Sequence, residues 1–174
     1  MDSALKNFDH PAYNSRNSIW FLTSIPQVKN FLDAVQDPIG KKMCEDIFND
    51  FITEVLEKRA KDLEQGIIHG DFNEQNILCQ PCKSNGETGS NNEYEIFSVI
   101  DFGDSQKSAI VFELGITIMY MMTKCSLIDP NEAGGHVLAG YETIRKLPPI
   151  EMEVLRLCVA ARYAQSLGGS QVKY

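Results

Sequence analysis

Residues 69–76 read His-Gly-Asp-Phe-Asn-Glu-Gln-Asn, and Asp101-Phe-Gly-Asp follows one hairpin's length later. Asp71 stands five residues before Asn76, and Asp101 closes the apolar run from Ile96 to Ile100. Two carboxylates and a carboxamide so placed are the set that phosphoryl transfer from a nucleotide needs. One carboxylate orients or deprotonates the attacking hydroxyl, while two oxygen ligands hold Mg²⁺ against the phosphates. Asp and Asn are also ordinary turn residues. Here, however, the loop lies between the apolar runs Ile67-Ile68 and Ile77-Leu78, where unpaired carboxylates are costly.

A dinuclear metallo-phosphoesterase is the main rival, because it also places Gly-Asp and Asn near strand ends. It needs several His or carboxylate ligands. The histidines are His10, His69 and His136, with no ligand-like pairing, so His69 is read as a structural group that hydrogen-bonds the backbone near Asp101. Cys79-Gln-Pro-Cys82 is a lone CxxC without the second pair that zinc would want. Glu113 begins an otherwise apolar helix and needs partners there; it is expected to brace the His69 loop. Asp104 is expected either to brace the metal loop or to meet a substrate amine.

The elements that must position these groups follow from periodicity. Residues 1–17 lack sustained periodicity and read as a linker or docking arm. Ser24 and Pro26 begin a short helix with Val28, Phe31, Leu32 and Val35 on its buried side. Asp37-Pro-Ile-Gly is read as a break, a long helix as running from about Lys41 to Gln65, and Gly66 as its stop. Ile77-Leu78-Cys79 and Tyr94–Ile100 are paired strands, joined by an exposed loop over Pro81–Asn92. Antiparallel pairing then brings Asn76 and Asp101 to one end of the hairpin. Three helices follow, over Ala109–Cys125, about Glu132–Arg145, and about Pro149–Leu167 with Met152, Leu155, Val159 and Tyr163 on one face.

The chain has 174 residues, 43% of them hydrophobic, enough for one domain with a real core. A net charge of −8 argues against nucleic acid and mildly favours a cationic substrate. Five irregularly spaced cysteines and no secretory signal suit a reduced, cytoplasmic setting. The most apolar stretch, Ala109 to Met122, is too short for a bilayer and contains Glu113, so no membrane span is expected.

The strings HGDFNEQN, DFGD and VFELGITIMYMM resemble the aminoglycoside phosphotransferase family, small-molecule kinases with a protein-kinase-like fold. The longer strings IHGDFNEQNIL and GGHVLAGYETI are similar to those of its members that phosphorylate 5-hydroxy-L-lysine. The resemblance spans about Phe8 to Leu167. It implies an α+β, mainly α fold: a kinase-like C-terminal lobe over 18–167 with a small β-hairpin at the active site, and a frayed tail over 168–174. It implies Asp71 as catalytic base or hydroxyl-orienting residue, Asn76 and Asp101 as Mg²⁺ ligands, and His69 as loop organiser. Glu113 falls where many relatives have Asp. The implied reaction moves the γ-phosphate of GTP (or ATP) to the side-chain hydroxyl of hydroxylysine; another amino alcohol or an aminoglycoside is the alternative acceptor. Kinases of this fold also carry an N-terminal lobe with a loop over the phosphates and a pairing Lys. Before Ile67 there is no glycine cluster, Gly40 being the first glycine, and no strand with a central Lys. No nucleotide clamp is therefore assigned. The chain by itself is expected to turn over little or not at all, and a non-catalytic binding product of the same family is the other alternative.

Overall fold

The computed structural model describes residues 2–82 and 93–169. It is mainly helical, with two small antiparallel strand pairs. The chain opens with a single turn, α1 (Asp2–Leu5), and a 3₁₀ turn over Pro11–Ser15. A run of short turns containing α2 (Ile25–Val28) follows. Val28 and Leu32 are buried, but Phe31 is exposed, contrary to the expected buried side. Ser24 begins α2 without capping it through its side chain.

Asp37 starts α3 (Pro38–Asp50) by accepting the Gly40 amide at 2.7 Å, with Pro38 in the first turn. The segment expected to break the chain is therefore a helix start, since an Asp cap before Pro suits the first turn. The α-helical form ends at Asp50 and continues as a π-helical stretch, Phe51–Glu57. Cys44, Phe48, Phe51 and Val55 form its buried face, whereas Met43 is exposed. The chain turns again at Ala60–Asp62 and is extended by Gln65. Gly66 thus lies within a strand and does not stop the helix; Leu63, buried in the core, marks the real turn inward.

Strand β1 (Gln65–Ile68) leads into the His69 loop. Strands β2 (Ile77–Pro81) and β3 (Tyr94–Val99) pair antiparallel, with Ile77 opposite Val99 and a register irregularity at Leu78/Cys79. Most of the expected exposed loop, residues 83–92, lies outside the described residues, as does the tail from Ser170. A further strand, β4 (Gln106–Ala109), pairs antiparallel with β1 from Gln65↔Ala109 to Ile68↔Gln106. The sequence reading missed β4 because only its last residue is apolar. Both pairs open toward the same place, so the 69–76 and 100–105 loops meet between them.

Helix α4 (Ile110–Lys124) runs through the centre, buried continuously from Ile110 to Ile116. It packs against α5 (Pro130–Glu142), capped by Asp129 accepting the Asn131 amide at 2.8 Å, and against α6 (Pro149–Gly169). Gly115 sets the α4–α6 crossing: a Cβ there would lie 2.7 Å from Cys158 Cβ. The buried face of α6 is Glu151, Val154, Leu155, Cys158, Ala161, Arg162, Ala164 and Gln165. Met152 and Tyr163, expected inside, are exposed. An apolar-equals-buried rule failed on this helix because three of its buried positions are polar and partnered. No described helix is long and apolar enough to cross a membrane.

Glu151 shows how such burial is sustained. Fully buried, it receives Arg145 Nη1 at 2.7 Å and Nη2 at 2.9 Å, and Arg145 Nη2 also reaches Glu64 at 2.6 Å. The bond to Glu151 holds the Arg145 guanidinium above even the ordinary arginine range. This fork ties the α5–α6 turn to the residue before β1. Arg145→Met strands the Glu151 carboxylate, and a loss of about 3–5 kcal/mol in unfolding free energy is expected by urea titration.

Candidate active site

The His69 loop is held from below by α4. Glu113, in the first turn of that helix and 7% exposed, accepts the backbone N–H of His69 and that of Gly70, the latter at 3.2 and 3.3 Å. An acid in a first helical turn also meets the positive end of the helix dipole. Gly70 has φ +83°, and a Cβ there would come within 2.3 Å of the Asp104 carbonyl oxygen. Only glycine lets the 69–76 loop touch the 101–104 loop so closely. Asp104 contributes through that backbone contact; its half-exposed carboxylate takes no hydrogen bond among the described residues.

His69 is completely buried. Its Nε2 lies 2.8 Å from Ile100 O, and because a carbonyl only accepts, Nε2 carries the proton. Nδ1 accepts the Asp71 amide at 3.3 Å. The ring also packs against Phe102, with centroids 4.8 Å apart, and edge-on against Phe72. A single imidazole thus fastens the 69–76 loop to the chain immediately before Asp101.

Asn76 and Asp101 follow from strand pairing. Asn76 precedes β2, Asp101 follows β3 by one residue, and the Ile100 amide donates to Asn76 O at 3.0 Å. Asn76 is 7% exposed, and its Nδ2 donates to Asp71 O at 2.9 Å. That bond engages Nδ2, while Oδ1 takes no hydrogen bond among the described residues. Asp101 is exposed and left-handed, φ +61°, with Oδ1 accepting the Gly103 amide at 3.3 Å. Asp tolerates this conformation better than most residues, and such outliers concentrate where function needs a particular side-chain direction.

Asp71 sits at the centre, with a 26% exposed side chain. Its Oδ1 receives Arg162 Nη2 at 2.9 Å; its Oδ2 receives Asn73 Nδ2 at 2.9 Å and Asn76 Nδ2 at 3.4 Å. Asn73 shapes the loop further by accepting the amides of Gln75 and Asn76 at 2.8 and 3.3 Å. The sequence reading did not single out Asn73, Arg162, or Tyr120, whose hydroxyl takes Arg162 Nη2 at 3.0 Å. Burial pushes the Tyr120 phenol above its usual range, against the pull of Arg162. A signal for Arg162 was present, since it falls on the helical stripe 151, 155, 158, 162, 165.

Among the described residues, no three His, Cys, Asp or Glu side chains group as a metal site. The donor set that exists, one carboxylate and one carboxamide oxygen, fits Mg²⁺, which keeps waters and takes phosphate oxygens rather than an all-protein cage.

The brace on the loop is testable without turnover. Glu113→Ala leaves two buried amides unpaired, at roughly 1–3 kcal/mol each. Glu113→Gln keeps an acceptor and is expected to unfold at an intermediate urea midpoint.

A family model described as the phosphotransferase enzyme family matches residues 3–147. Proteins named hydroxylysine kinase are similar along nearly the whole chain. The one from Mus musculus is 34% identical over 96% of this chain, that from Bos taurus 35% over 96%, and that from Danio rerio 32% over 96%. The chain spans 44% of the length of the Mus musculus and Bos taurus proteins and 45% of the Danio rerio one. No solved structure matches it. On the family model and these relatives together, the chain belongs to the phosphotransferase enzyme family.

Proposed function

We propose that this chain is the C-terminal, base- and metal-bearing lobe of a small-molecule kinase that phosphorylates the side-chain hydroxyl of 5-hydroxy-L-lysine, with GTP as donor. The observation that carries the reading is the convergence of Asp71, Asn76 and Asp101. Asn76 bonds the backbone of Asp71 through its amide nitrogen and pairs through its own backbone with the residue before Asp101. The relatives named hydroxylysine kinase support the acceptor. The net charge of −8 suits an amine-bearing substrate.

In this reading Asp71 receives the proton of the acceptor hydroxyl, or orients that hydroxyl, at its partly exposed carboxylate. Asn76 Oδ1 and the Asp101 carboxylate would hold Mg²⁺, which would offset the charge of the nucleotide phosphates. His69 and Glu113 keep the two loops in register, so the base and the metal ligands stay at a fixed separation. Near-in-line transfer depends on such positioning more than on covalent chemistry.

The test is an assay with Mg·GTP and Mg·ATP against hydroxylysine, choline and an aminoglycoside. Phosphate appearing on choline or the aminoglycoside but not on hydroxylysine would discard the assigned acceptor. In a full-length parent that carries the nucleotide-binding lobe, Asp71→Asn is expected to lower kcat by roughly 10²–10⁴-fold while Mg·nucleotide affinity, read by calorimetry, stays near the parent value. Asp101→Ala is expected to weaken Mg·nucleotide binding itself. Equal, mild effects from both would reduce the loop to a structural turn.

A further inference from the structure

Arg162 lies on α6, outside every motif that marks the site, yet it is 1% exposed and among the largest side chains in the core. Burying a guanidinium is unfavourable unless a counter-charge and hydrogen bonds compensate it, and apolar replacements of like volume are often as stable or more so. Nη1 donates to Trp20 O at 2.7 Å and Gln165 Oε1 at 3.1 Å; Nη2 donates to Tyr120 OH and Asp71 Oδ1. Its central carbon lies 5.5 Å from the Trp20 ring and 5.4 Å from the Tyr120 ring. Among the described residues, Asp71 is the one carboxylate within ion-pair distance. Arg162 Nε remains buried without a partner.

We infer that Arg162 is the positioning residue for Asp71: it fixes the carboxylate's rotation so that one acceptor direction stays open to the incoming hydroxyl. An ionised carboxylate offers about four acceptor positions. Arg162 takes one on Oδ1, and Asn73 and Asn76 approach Oδ2 from the other side. Rotation either way breaks a charge-assisted bond or an amide bond, so the carboxylate is clamped from both edges. The planar fork matters as well as the charge, since Arg162 must reach Trp20 and Asp71 with different nitrogens. The orientation of the base is thereby set by α6 and the 19–21 segment, which Gln165 also holds through Ile19 O and Phe21 O. This inference rests on the reading of Asp71 as the residue that meets the acceptor hydroxyl.

The test uses Arg162→Met and Arg162→Lys in the full chain, with Val55→Ala as a core variant distant in role. Crystal structures of the two Arg162 variants are expected to show the Asp71 carboxylate rotated while the His69–Ile100 and Glu113–Gly70 bonds persist. A carboxylate that keeps its orientation in both overturns the proposal, whether or not the isolated chain turns over. In a full-length parent that carries the nucleotide-binding lobe, with Mg·GTP and hydroxylysine, Arg162→Met is expected to lose about a hundredfold in kcat with KM little changed. Arg162→Lys, which also serves if the Met variant fails to fold, should recover part of that loss. Val55→Ala should lower Tm but not kcat. Undiminished kcat in Arg162→Met also overturns the proposal. Undiminished kcat in Asp71→Asn instead removes the reading of Asp71 as base and leaves the crystallographic result to decide its position.

Discussion

The site depends first on one buried carboxylate. Glu113 takes the amides of His69 and Gly70 at the start of α4, and everything downstream is positioned from there. Because α4 is the most continuously buried helix, this contact transfers the rigidity of the core to a loop that has no secondary structure of its own. The cost of dehydrating Glu113 is offset by two directed amide donors and by the helix dipole. His69 then extends the constraint across to Ile100, and Gly70 removes the Cβ that would hold the two loops apart. The 69–76 and 100–105 loops are consequently one unit with two attachments.

A second set of polar contacts organises the far side. Arg145–Glu151 and Arg162–Asp71 both place a forked guanidinium against a carboxylate at α6, the first across six residues of chain and the second across 91. They sit at opposite ends of α6, and Gly115 permits α4 to approach that helix between them. The first pair joins elements that are purely architectural; the second runs directly into the site. In this fold the same device serves packing at the start of α6 and holds the Asp71 carboxylate farther along it.

What the sequence made legible follows from how local each determinant is. Strands β2 and β3, with the adjacency of Asn76 and Asp101, were readable because apolar runs flanked a turn-rich loop and pairing geometry did the rest. Helices α4, α5 and α6 were placed within a few residues by periodicity, and α5 and α6 also by Pro at their starts. β4 was not readable, since Gln106-Lys-Ser lacks apolar alternation and is a strand only because β1 lies opposite. The inward face of α6 was misassigned because Glu151, Arg162 and Gln165 are buried by partners from residues 19–21, 64, 71, 120 and 145. Such long-range compensation leaves no periodic trace beyond a charged residue on an otherwise apolar stripe. Asp37-Pro was misread as punctuation because the same dipeptide both ends and begins helices.

The locked imidazole has a consequence for where protons can go. Both nitrogens of His69 are engaged, one donating to Ile100 and one accepting from the Asp71 amide. Accepting a second proton would break the bond to Asp71 and unfasten the loop, so His69 is unsuited to relay. Arg162 and Asn76 offer Asp71 only donors. In the proposed reading, a proton arriving on the Asp71 carboxylate finds no acceptor to carry it onward among the described residues that bond it. Its exit is the partly exposed edge of the carboxylate itself, directly into water or onto a neighbouring phosphate oxygen. If Asp71 is the base, a fold that holds it this firmly makes proton release a matter of solvent access at that one exposed edge.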